Sequence, residues 1–142
     1  MIFDMTRRTS GGTPNYGIFK VQYGTITPAT NVSKLTITVD ANLGTEVWAT
    51  GYIPNTRWSN YEGDANYDNK IAGWQYNGAK NYFASNMSAA NTTFAFLSSN
   101  ANGHTYKSGG SSFSGNTYTV GNLSGYQFIG GETYHYLIVG VT

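Results

Sequence analysis

The chain has 142 residues and a formal net charge of +1, from eight Lys and Arg against seven Asp and Glu. Charged residues make up only 11%, under half of the ~25% usual for a globular domain, so no basic field exists to hold nucleic acid. The lack of Cys removes disulfides and thiolate zinc sites, two lone histidines (His104 and His135) are poor material for a metalloenzyme, and no apolar run reaches the ~18 residues that a membrane-spanning helix needs.

In chain order, residues 1–15 read as an N-terminal arm. Met1–Met5 lacks the apolar core of a secretion signal. Arg7, Arg8 and the Ser10-Gly11-Gly12 run resemble a segment that is mobile or docked on a neighbouring subunit. Residues 16–142 form one domain, long enough to bury roughly two-thirds of the extended surface. Ile18–Gly24 alternates Phe19, Val21 and Tyr23 against Lys20 and Gln22. Ser33–Asp40 alternates Leu35, Ile37 and Val39 against Lys34, Thr36 and Thr38, the pattern of a half-buried antiparallel strand. Thr45–Ile53 sets Val47, Ala49 and Ile53 opposite Trp48 and Tyr52. Pro54–Asn69 lacks alternation and reads as an extended surface loop, and Ala84–Asn91 offers at most one helical turn. Strands resume at Thr92–Ser98, at Tyr118 and Val120, and at Tyr126 and Phe128. Glu132–Val141 closes the chain with two largely apolar faces, which predicts a central strand buried on both sides.

Asn42-Leu43-Gly44, Asn77-Gly78, Asn102-Gly103, Gly109-Gly110 and Gly130-Gly131 punctuate these runs, as tight turns require. The 15% aromatic content argues against disorder despite the low charge. Short strands with regular turn signals give an all-β fold, an antiparallel β-sandwich or jelly roll with little or no helix.

Two segments carry a resemblance. Val21-Gln22-Tyr23-Gly24-Thr25-Ile26-Thr27 is similar to the Q-[WY]-G motif that opens the C-terminal, receptor-binding tip domains of many bacteriophage tail fibres. Thr133-Tyr134-His135-Tyr136-Leu137-Ile138-Val139-Gly140 resembles the aromatic strand that closes them. The match covers about a third of the chain and departs from the family at Val39-Asp40, where a Phe-Pro step is common. The resemblance implies an H-type-lectin-like sandwich and a homotrimeric tip located in the virion. Its partners would be other virion proteins and a host-surface glycan or receptor, with no nucleic acid and no membrane insertion. The lack of a fibre shaft in this chain points equally to a capsid or tail decoration protein that stabilises the particle. A free soluble lectin is the third reading.

Three constellations bear on chemistry. Trp48, Tyr52, Trp58, Tyr61, Tyr67, Trp74 and Tyr76 fall in the middle of the chain beside several Asn, a composition suited to stacking on sugars and bonding their hydroxyls. The loop Glu62, Asp64, Asn66, Asp68 has the D-x-N-x-D spacing of a calcium site, but Asn69 and Gln75 replace the Gly and Glu that an EF-hand loop needs, so only a partial Ca2+ site survives. No other cofactor is implied. For catalysis, the loop acids lie in one element, Asp40 and Glu46 flank a different turn, and Glu132 stands alone, so no carboxylate pair flanks a cleft and no enzyme is expected. Arg7, Arg8, Tyr134, His135 and Tyr136 are the assembly candidates, on the arm and the closing strand.

Overall fold

A computed structural model describes residues 2–6, 18–43, 46–61, 63–77, 94–100, 103–108, 110–122 and 124–141. Arg7, Arg8, Glu62 and the possible turn at Ala84–Asn91 lie outside these residues. The chain is all-β, with two sheets curled as a half-barrel around one core. The larger sheet has the order β1 (Ile2–Thr6), β2 (Ile18–Ile26), β11 (Tyr134–Val141), β4 (Glu46–Tyr52), β5 (Lys70–Asn77), β6 (Phe94–Asn100) and β7 (Gly103–Ser108). The smaller sheet has the order β3 (Lys34–Thr38), β9 (Thr117–Gly121) and β8 (Ser111–Ser114).

Several of these elements were not expected. Part of the presumed arm, Ile2–Thr6, is an edge strand paired with β2. β5 escaped the sequence reading because its register shifts between Ile71 and Gly73. Ile71 and Ala72 are consequently both buried, ahead of Trp74 and Tyr76, and one extra residue suffices to break a period of two. β7 and β8 are mostly Gly, Ser, Thr and Lys and carry little apolar signal. β10 (Gln127–Phe128) pairs with β5 in parallel, whereas the other strand pairs among the described residues are antiparallel. The segment between β4 and β5 is not merely extended. It holds a one-turn helix, α1 (Asn55–Trp58), and a 3-10 turn at Ala65–Tyr67.

The core follows from alternation on facing strands. Leu35, Ile37, Tyr118 and Val120 point inward from the smaller sheet, and Ala49, Trp74, Phe96, Tyr134 and Ile138 point inward from the larger one. Gln22 ties the two layers together, donating from Nε2 to Thr38 O and accepting from Asp40 N, both at 3.0 Å. Gly51 is required by packing, because the Trp74 ring lies over it and a Cβ there would sit 2.1 Å from the indole. The buried Tyr134 hydroxyl accepts from Ile129 N at 2.9 Å and donates to Ile71 O at 2.7 Å, joining the β10 segment to β5.

The closing strand is central by pairing, between β2 and β4, but it is not buried on both faces. Tyr134 is 0% exposed and Ile138 is equally buried, whereas His135 is exposed and Leu137 and Val139 are half-buried. This corrects the expected assembly role of Tyr134 and Tyr136. Tyr134 is enclosed in the core, and Tyr136 packs against it over Gly24. A period of two turns both rings inward, and only His135 of the three faces out.

Candidate functional site

The site forms where the chain leaves β4 and where it enters β11. Pro54 starts α1, and one turn of helix presents Arg57 to the side and Trp58 to the core. Across from it, the Gly130–Gly131 turn delivers Glu132. Gly131 adopts φ +82°, in the left-handed region that favours glycine, and its N–H donates to Pro28 O at 2.7 Å. Arg57 Nε donates to Glu132 Oε2 at 3.2 Å, and Arg57 Nη2 and the Tyr61 hydroxyl both donate to Oε1. The fork is bidentate, the geometry that fits guanidinium to carboxylate. Glu132 is buried while Arg57 remains exposed.

These bonds fix the electrostatics. The Arg57 guanidinium holds the Glu132 carboxyl below the usual carboxylate range against the opposing effect of burial, with the Tyr61 phenol adding to it. Burial first, and the hydrogen bond to Glu132 second, push the Tyr61 phenol up. Both Glu132 carboxylate oxygens are therefore engaged by donors from Arg57 and Tyr61. Arg57, Glu132, Pro54, Gly131, Thr133 and His135 line an open cleft of about 330 Å³. At its rim the exposed Tyr52 and His135 rings, directly opposite each other in the β4–β11 register, stack with centroids 5.9 Å apart and planes 28° apart.

The structure separates the aromatics that the sequence grouped. Trp58, Trp74 and Tyr76 are buried core residues, which corrects their assignment to a binding surface. The reason differs for each: Trp58 is on the inward side of α1, and Trp74 and Tyr76 are on the inner face of β5. Trp48 is half-buried on the outer side of β4. Tyr61 packs against the core, edge-on to Tyr67 at 4.4 Å. Only Tyr52 presents a largely open ring at the cleft.

Asp64 is committed locally. It caps the 3-10 turn, its Oδ1 accepting from Asn66 N at 2.9 Å and from Asn66 Nδ2 at 3.0 Å. Asp68 Oδ1 is buried with no hydrogen-bond partner. Among the described residues no three His, Cys, Asp or Glu side chains form a group that could hold a metal ion.

Sequence reasoning missed Arg57 and treated Glu132 as solitary. They are 75 residues apart, and no local pattern links them. No family model, curated protein or solved structure matches the chain.

Proposed function

We propose that this chain is a non-catalytic glycan-binding domain, an adhesin of the tail-fibre-tip type that its opening and closing motifs resemble, acting as part of a virion. One observation carries the reading: the open Tyr52–His135 stack beside a polar cleft. An exposed ring offers its face to the C–H side of a sugar, and the cleft supplies Arg57 N–H groups and the Thr133 hydroxyl for the sugar's hydroxyls. The cleft is open and small, so one site binds weakly and attachment depends on several copies acting together. The Arg57–Glu132–Tyr61 network serves as the frame that holds α1 against the β11 entry.

A glycan array followed by titration of the best hit tests this. Tyr52→Ala removes the ring contact and is expected to weaken binding up to about tenfold, whereas Tyr52→Phe keeps it. A wild-type protein that retains no glycan, or a Tyr52→Ala variant that binds as well as wild type, refutes the proposal.

A further inference from the structure

The pairing with Glu132 leaves one edge of Arg57 open. The fork uses the Nε–H and one Nη2–H of the guanidinium. The end-on edge keeps both Nη1–H groups and the second Nη2–H. The Glu132 side chain is 8% exposed and the Arg57 side chain 54%, so the guanidinium is anchored on its inner edge and meets water at the cleft with the other. The remaining groups of the cleft share this bias towards donors. Both Glu132 oxygens already accept, from Arg57 and from Tyr61. Pro54 O already accepts from Arg57 N and Trp58 N. The Thr133 hydroxyl is paired with that of Thr27 at 2.8 Å, which places one proton between them and leaves the other to donate. The exposed His135 ring, stacked on Tyr52, brings at least one N–H. Among the described residues, Glu132 is the single acid that lines the cleft.

The geometry points to an acidic sugar as the ligand of this cleft, with its carboxylate on the free Nη1–Nη2 edge of Arg57 and its ring against Tyr52. The inference rests on the glycan-binding reading and narrows it to one substrate class. A neutral hydroxyl can use these donors, but a carboxylate uses them better. It only accepts, and its two oxygens match the parallel N–H groups of a guanidinium edge. The Glu132 charge lies on a different edge of the guanidinium and is shared with the Tyr61 phenol. A planar fork already held in place by a buried partner loses little freedom when it takes a second carboxylate. At about 330 Å³ the cleft is at the small end of ligand pockets, which suits a single sugar ring.

The test is an array of uronic-acid- and sialic-acid-terminated glycans, printed beside the same glycans with the carboxyl reduced to an alcohol and beside sugar phosphates, and probed with the full chain. Carboxylated members are expected to bind about tenfold better than their reduced partners. The preference should shrink as NaCl rises from about 0.05 to about 0.5 M, because an exposed charge pair is screened. Arg57→Gln combined with Glu132→Gln removes the fork without stranding a buried carboxylate, and is expected to bring the two sets within about twofold of each other. If circular dichroism shows that variant unfolded, Arg57→Lys keeps the cation, loses the planar fork, and is expected to lose most of the preference. Equal binding of carboxylated and reduced glycans, both lost in Tyr52→Ala, overturns this inference and leaves the glycan-binding reading standing. A preference that survives unchanged in a folded Arg57 variant, or one for sugar phosphates over carboxylates, also overturns it. Absence of any glycan binding overturns both.

Discussion

Two buried tyrosines allow a matched experiment in which removal of the same atom gives opposite signs. Tyr134 and Tyr118 are both fully buried. The Tyr134 hydroxyl makes two good bonds, to Ile129 N and Ile71 O. Tyr134→Phe deletes both and leaves a buried N–H and a buried C=O without partners. Each such group costs about 1–3 kcal/mol, so the loss should be about 2–6 kcal/mol. The Tyr118 hydroxyl is buried without a hydrogen-bond partner. The neighbouring Ser111 hydroxyl is already directed at Thr119 O, 2.7 Å away. Tyr118→Phe removes a desolvated hydroxyl that makes no hydrogen bond of good geometry, although the Ser111 hydroxyl and the Trp74 indole lie near it, and should stabilise the fold by about 1 kcal/mol. Urea unfolding at neutral pH measures both, and at this size each kcal/mol moves Tm by about 3–5 °C. If Tyr118→Phe proved as damaging as Tyr134→Phe, its hydroxyl would have an unseen partner and the bond-by-bond reasoning would fail.

The remaining predictions concern the cleft and the core. Because Arg57 depresses the Glu132 pKa on folding, the stability it contributes is complete above the ordinary glutamate range near ~4.3 and is lost as pH falls through the lower folded value. A pH series of Tm should fall more steeply on the acid side in wild type than in Glu132→Gln, and parallel curves would contradict the pairing. Gly51→Ala places a methyl inside the Trp74 ring volume and should destabilise by about 1–3 kcal/mol, read as a lower denaturation midpoint. A neutral effect would mean that the indole moves freely.

The sequence made the strands with clean alternation legible. Leu35, Ile37 and Val39 are buried while Lys34, Thr36 and Thr38 are exposed, because a single buried face leaves an unambiguous period of two. β5 was illegible because its register shift puts Ile71 and Ala72 both inside. β7 and β8 were illegible because their strand character comes from pairing, not from side chains. At the site, Tyr52 could be picked out as an aromatic opposite the apolar face of its strand. Trp58, Trp74 and Tyr76 carried the same signal and ended in the core, since residue type does not record which way a helix turn or a bulged strand faces.

The charge deficit, the turn residues and the alternation belong to the sequence itself, and they determine an all-β chain whose outward positions are mostly uncharged. Tertiary structure alone decided the rest. Sheet closure brings Arg57 to Glu132 across 75 residues and His135 to Tyr52 across a strand pair. Burial of one face of β11 leaves its other face, with that of β2 and β4, only partly covered. These outcomes depend on which strands become neighbours, and pairing between distant strands is settled by the packing of the whole core.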